Sequence, residues 1–230
     1  MKQEYAGFLS SQMAGFRPDS ASVDQDLFDE QFGQCSLVFR FAKRSFDIVM
    51  VLLLLVPLMM AMIVLAIANP FWNKGSMFFV QTRMGQNCKP FNAMKLRTMS
   101  ASASIERTAN CPLEEDRITP LGKWLRKTRL DELPQILNVM AGDMSMIGPR
   151  PDYFEHALHF LKEVPGYRAR HAVRPGISGL AQTEIGYAVG NRATRKKVNA
   201  DLIYIQNRTL RLEAWIVWRT LSVVIGRCGI

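Results

Sequence analysis

A chain of 230 residues with 48% hydrophobic side chains can bury a sizeable core, which excludes a wholly disordered polypeptide. Its net charge of +9 is unevenly spread: residues 1–39 hold two basic side chains against six acidic ones, a net of −4 that leaves +13 for residues 40–230. A surplus of that size points to phosphate-bearing partners, whether nucleic acid, anionic lipid headgroups or a phosphorylated substrate.

In chain order, residues 1–39 are rich in Ser, Gln, Gly and Asp and predict a mobile acidic cytoplasmic tail with no cleavable signal peptide. Cys35, Cys88, Cys111 and Cys228 are scattered, with no CxxC pair, and predict reduced thiols in a cytosol-facing protein. From Ile48 to Ala68 run 21 residues without a charge, long enough to cross a bilayer. Pro57 near the middle removes a backbone donor and predicts a break. Arg40, Lys43 and Arg44 precede the run and Lys74, Arg83 and Lys89 follow it, so both ends favour the cytoplasmic side. A re-entrant helix-break-helix over residues 40–73 satisfies both features, and a kinked span is the alternative.

Beyond it, Met77–Gln81 and Pro90–Lys95 read as a short β-hairpin around Met84-Gly85-Gln86-Asn87. Helices are predicted over Gly122–Lys127, Glu132–Met140 and Asp152–Glu163, the last closed by Pro165-Gly166. The Gly- and Pro-rich stretch from Arg174 to Gln182, extended by Gly186 and Gly190, predicts an ordered loop. Asp201–Ile225 mixes Arg208, Arg211 and Arg219 with Trp215 and Trp218, the pattern of an amphipathic helix lying in the headgroup plane; an ordinary core-facing helix is the alternative.

The pair Asp131-Glu132 is the chemical centre of this reading. It lies among Lys123, Arg126, Lys127 and Arg129, just before Pro134. Asp at a helix start is a favoured N-cap, and Pro134 suits a first turn. The surrounding cations instead favour an ionised pair able to act as nucleophile or divalent-metal ligand. His156 and His159 lack the HExxH pattern and a third ligand, and no glycine loop matches a dinucleotide or P-loop pattern. Lys95-Leu96-Arg97 is either a solvated run or a source of phosphate contacts, and Tyr167–His171 has the basic-aromatic character that suits RNA or lipid headgroups.

Eight segments occur in one order: Lys43-Arg44-Ser45-Phe46-Asp47, Phe79–Gly85, Lys95–Met99, Asp116–Thr119, Arg126–Gln135, Gly142–Ser145, Gly148–Pro151 and Pro175–Gln182. From about Arg40 onward the chain therefore resembles the bacterial sugar transferases, the monotopic phosphoglycosyl transferases that initiate exopolysaccharide and O-antigen synthesis. The resemblance implies the minimal form, expected to lack a large membrane domain ahead of this stretch. It implies transfer of a hexose 1-phosphate, galactose or glucose by loop wording, from a UDP-sugar to undecaprenyl phosphate at the cytoplasmic face of the inner membrane.

The resemblance also implies Mg²⁺, Asp131 as nucleophile and metal ligand, and Glu132 as the neighbouring metal-binding acid. Arg126 would hold phosphate oxygens, Arg150 would contact the nucleotide, Asp201 would be a further acid near the site, and Lys95 and Arg97 would supply substrate contacts. Where related small enzymes have Ser-Pro, this chain has Val56-Pro57, which removes a hydroxyl partner for the backbone freed at the proline. The expected fold is a predominantly helical α+β monotopic membrane protein, with residues 74–230 as the catalytic domain. Its expected partners are the UDP-sugar, undecaprenyl phosphate and anionic membrane lipids, with no nucleic acid and a homodimer left open. A nucleic-acid-binding protein and a non-catalytic membrane scaffold are the competing classes.

Overall fold

The computed structural model describes residues 36–72, 75–100, 115–185 and 191–225. The expected acidic tail through Cys35, the thiols of Cys111 and Cys228, and the extension of the glycine loop through Gly186 and Gly190 lie outside those residues.

Helix α1 (Leu37–Trp72) is 36 residues long and contains both Pro57 and Pro70. The expected division into two helices at Pro57 is not seen. Buried residues recur along one face at Asp47, Val51, Leu58, Leu65 and Asn69, so the helical period continues across the proline. Packing supplies the reason: Val51 and Leu58 meet Ile136, Val139 and Met144, while Leu65 meets Leu96 and Leu125. The same body therefore supports the helix before and after Pro57. The opposite face leaves Leu52, Leu53, Val56, Met59, Met60, Ile63, Val64 and Ile67 each more than half exposed.

Strands β1 (Phe78–Met84) and β2 (Pro90–Leu96) form the expected antiparallel hairpin, with Phe78 opposite Leu96 and Met84 opposite Pro90. Its turn is a short 3₁₀ segment in which Asn87 takes φ 55, a left-handed value that Asn tolerates. Helix α2 (Pro120–Lys127) starts at Thr119, whose hydroxyl accepts a hydrogen bond from Gly122 N at 3.0 Å. A 3₁₀ turn over Leu130–Glu132 leads into helix α3 (Gln135–Ala141), which ends at Gly142 with φ 94.

Strand β3 (Ser145–Ile147) pairs in parallel with β4 (Gly176–Ser178). Helix α4 (Phe154–Glu163) lies between them in sequence, and helix α5 (Leu180–Glu184) follows β4. The stretch expected to be a loop thus contains a strand and a helix. Its glycines serve close backbone approach: a Cβ on Gly176 would stand 2.1 Å from Gly148 N, and one on Gly179 2.2 Å from Gly148 O.

The expected single helix from Asp201 is two. Helix α6 (Asn191–Gln206) and helix α7 (Leu210–Ile225) meet at Thr209, whose hydroxyl accepts from Leu212 N at 3.2 Å. Leu202–Ile205 of α6 are buried in the main core with Ile147, Phe160, Leu212 and Ile216. That half is a core helix rather than an interfacial one. Only on α7 do Leu210, Trp218 and Leu221 remain exposed.

Candidate active site

Three polar side chains of α1 anchor the helix to the elements that carry the acidic pair. Lys43 Nζ donates to Ile147 O at 3.0 Å and Glu213 Oε2 at 2.6 Å. Arg44 donates to the carbonyls of Val139 and Met140 at the end of α3. Asp47, 2% exposed, accepts from Ser145 Oγ and Met146 N, both at 3.0 Å. This buried acid is satisfied because β3 presents donors to it.

Asp131 and Glu132 sit in the 3₁₀ turn between α2 and α3, entered through Arg129 in the left-handed region at φ 59. The helix-cap reading of Asp131 is corrected here. The N-cap of α3 is Pro134, three residues later, and no side chain caps that helix end. Both carboxylates are nearly buried, at 7% and 8% exposure.

Their environments differ sharply. Glu132 receives Lys95 Nζ from β2 at 3.0 Å, and Arg150 Nη1 at 2.9 Å on its other oxygen. Arg150 Nη2 also donates to Glu132 Oε1, completing a bidentate pair, and Arg129 Nη1 lies 4.0 Å away. Asp131 has no hydrogen bond or ion pair among the described residues. It feels Lys95, Arg126 and Arg150 only through space.

These environments set the protonation chemistry. Burial, and then repulsion from Glu132, pushes the Asp131 carboxyl above its ordinary range. Burial works in the same direction on Glu132, but Arg150 and Lys95 overcome it and hold Glu132 well below the usual carboxylate value. Burial also pushes the Lys95 ammonium down to about 8, against the attraction of Glu132. Glu132 is thus a fixed counter-ion, whereas Asp131 is an under-solvated carboxylate with free lone pairs.

The structure brings Lys95, Arg150, Asp131 and Glu132 together. Arg126 faces the same site from the last turn of α2, with Nε donating to Thr98 Oγ1 at 2.9 Å. Arg97 lies apart: a Cβ on Gly75 would stand 2.5 Å from its Nη1, which places the guanidinium beside the segment that follows α1. Asp201 also lies apart, 1% exposed and paired with Arg170 at 2.8 Å, and so has no open face for a substrate.

Sequence reasoning missed Arg170 itself. The segment Tyr167–His171 read as a basic-aromatic surface, yet Tyr167, Arg170 and His171 are 1%, 1% and 5% exposed. Burial pushes His171 down to about 3, so its ring stays neutral. The available signal was the long-range supply of acids, Asp152 and Asp201, which only tertiary structure brings to Arg170.

Among the described residues, no group of three His, Cys, Asp or Glu forms a preformed cation cage. Mg²⁺ does not need one, since it is usually held by one or two carboxylates with substrate phosphates completing the shell. Asp131 offers such a carboxylate, while both oxygens of Glu132 are already engaged.

Comparison with known proteins places this geometry in a family. The family described as "Bacterial sugar transferase" matches residues 38–227. A UDP-N-acetylgalactosamine-undecaprenyl-phosphate N-acetylgalactosaminephosphotransferase of Aeromonas hydrophila is 39% identical over 209 residues, covering 88% of this chain and 48% of that protein. A UDP-glucose:undecaprenyl-phosphate glucose-1-phosphate transferase of Caulobacter vibrioides is 37% identical, covering 80% of this chain and 67% of that protein. An exopolysaccharide production protein of Rhizobium leguminosarum bv. phaseoli is 35% identical, covering 80% of this chain and 96% of that protein. The chain spans about half the length of the Aeromonas protein, and residues 38–227, which match the family, contain every element of the site described above. The chain belongs to the bacterial sugar transferase family.

Proposed function

We propose that this chain transfers a hexose 1-phosphate from a UDP-sugar to undecaprenyl phosphate and releases UMP. The observation that carries the reading is the contrast within the acidic pair: Glu132 is neutralised by Arg150 and Lys95, while Asp131 is buried beside the same cations with no hydrogen bond among the described residues. A carboxylate so placed attacks the phosphorus that bears the sugar, forming a phosphosugar-aspartate and breaking the bond to UMP. A phosphate oxygen of the lipid then attacks the same phosphorus and returns Asp131 to its free form.

The four cations Lys95, Arg126, Arg129 and Arg150 outnumber the two carboxylates, which leaves positive charge for a diphosphate. Asp131 is the residue that would hold Mg²⁺ together with that diphosphate, and the ion would screen the phosphate charge that repels an attacking carboxylate. The sugar is a hexose of the glucose, galactose or N-acetylgalactosamine kind, as the names of the relatives and the loop wording suggest.

Helix α1 supports a membrane placement. Its contacts with the body that carries the site run from Arg44 to Leu65, a length of ~32 Å at 1.5 Å per residue. That exceeds the ~30 Å hydrocarbon core, so a helix crossing upright would have to leave that body behind. A monotopic placement at the cytoplasmic face of the inner membrane, with the exposed apolar face turned to lipid and both ends on one side, fits these contacts. An impermeant thiol reagent added to intact spheroplasts should then reach neither Cys35 nor Cys88; labelling of one alone would establish a span.

The activity test uses membranes containing the chain, UDP-hexose labelled in the sugar, undecaprenyl phosphate and Mg²⁺. Label should enter the organic phase with equimolar UMP. No transfer from UDP-glucose, UDP-galactose or UDP-N-acetylgalactosamine would leave a scaffold or nucleic-acid-binding reading in its place.

A further inference from the structure

Arg170 lies one layer behind the site and has every guanidinium nitrogen in use. Its Nε donates to Asp201 Oδ2 at 2.9 Å, Nη1 to Asp152 Oδ2, and Nη2 to the backbone carbonyl of Arg150 at 2.7 Å. The Tyr167 ring stacks against it, 5.2 Å from centroid to guanidinium carbon, and the Tyr167 hydroxyl donates to Asp152 at 2.7 Å. Lys197 from α6 completes the group by donating to the other Asp152 oxygen. Two acids and two bases balance, so this quartet does not await an anionic ligand as the cations around Asp131 do. Among the described residues, the side-chain hydrogen bond that leaves the group goes to the Arg150 carbonyl, and Arg150 is the residue that grips Glu132 with both terminal nitrogens.

We propose that Arg170 is a positioning residue for the transfer reaction, holding the Gly148–Asp152 backbone so that the Arg150 guanidinium stays locked on Glu132 beside Asp131. The proposal rests on the functional reading above and extends it to a residue with no substrate contact. Only an arginine meets the geometry. Its planar fork reaches three acceptors in fixed directions, whereas a lysine offers one nitrogen and cannot bridge Asp152, Asp201 and the Arg150 carbonyl together. Asp201 thereby acquires a role at second hand, orienting Arg170 rather than touching substrate.

The test is a double-mutant cycle on the full chain in membranes. Arg170→Lys should lower kcat by about 10- to 100-fold, the scale of an ångström-sized misplacement. In the Arg150→Ala background the same change should cost less than about threefold, because the group being positioned is already gone. A purely structural role would give losses that multiply, and that result overturns the proposal, as does an Arg170→Lys enzyme with wild-type kcat. Should Arg170→Lys not fold, Asp201→Asn is read in the same cycle, with a smaller loss that also vanishes in the Arg150→Ala background. Hydrogen–deuterium exchange gives an activity-independent reading: the Gly148–Asp152 segment should exchange faster in Arg170→Lys while α3 is unchanged. Unchanged exchange there refutes the positioning role even if the wild-type chain transfers sugar. Faster exchange in a chain that transfers no sugar would refute the functional reading alone.

Discussion

Arg150 donates from both ends of its guanidinium to the two carboxylate oxygens of Glu132, and Lys95 donates to one of the same oxygens. Glu132 is therefore spent as a counter-ion, and Asp131 is left as the carboxylate available for chemistry. Two adjacent acids have acquired opposite electrostatic characters because β2 and the turn after β3 reach only one of them.

Substituting each acid should separate stability from activity. Asp131→Asn removes a charge that is buried without a hydrogen bond, so the variant should melt at or above the wild-type temperature while losing transfer and the covalent intermediate. Glu132→Gln leaves Arg150 and Lys95 without their counter-charge and should destabilise the fold by about 3–5 kcal/mol. Thermal melts in detergent, run beside the lipid-transfer assay, check both. An Asp131→Asn protein with normal turnover would remove the nucleophile assignment.

Much of this site was legible in the sequence because its parts are local or come in ordered segments. Lys95, Arg126, Asp131, Glu132 and Arg150 lie near one another, and the β-hairpin forms where Gly85 and Asn87 punctuate it. What misled were features whose meaning depends on distant partners. Pro57 breaks an isolated helix, but here Val51, Leu58 and Leu65 are held from one side by α2, α3 and β2, so the helical path continues. Gly176 and Gly179 looked like loop residues because nothing local announces that Gly148 lies against them. Arg170 looked like surface charge because its two acids come from positions 152 and 201.

The pH profile should report Lys95. Its ammonium titrates near 8 in the folded protein, so phosphate binding that needs the charge should weaken as pH rises through that value. The profile of kcat/KM, which reports the free enzyme, should fall along an alkaline limb with a midpoint near 8. Lys95→Arg keeps the charge and should remove that limb, at a lower overall rate. For stability the sign is opposite: the folded pKa of Lys95 lies below its unfolded value, so between about 8 and the ordinary lysine value the unfolded chain binds more protons and the fold gains stability with pH. Activity and stability should diverge over that window.

Acid should act through different groups. Glu132 and Asp152 both have folded values below the ordinary carboxylate range, where ion pairs overcome the effect of burial. Their contribution is present above the unfolded values and is lost as pH falls toward the folded ones, so unfolding should set in below about pH 4. Asp131 has the opposite sign: its raised value favours the fold only while the group is protonated. Asp131→Asn should therefore flatten the loss of stability between the unfolded aspartate value and the raised folded one, a difference that equilibrium denaturation at several pH values would resolve.

The backbone contact between α2 and the segment after β2 gives a prediction about Arg126. A Cβ on Gly122 would stand 2.0 Å from Thr98 O, a backbone atom that also accepts from Thr119 N at 3.1 Å. Neither partner can move without disturbing the start of α2, so Gly122→Ala should destabilise the protein by about 1–3 kcal/mol, the usual range for overpacking. The effect should reach the site, because Thr98 Oγ1 is the acceptor that holds Arg126 Nε. Thr98→Val removes that acceptor without the clash, and should lower kcat while leaving the melting temperature nearer to wild type than Gly122→Ala does. Equal activity in Thr98→Val and wild type would show that Arg126 is held toward Asp131 by something other than Thr98.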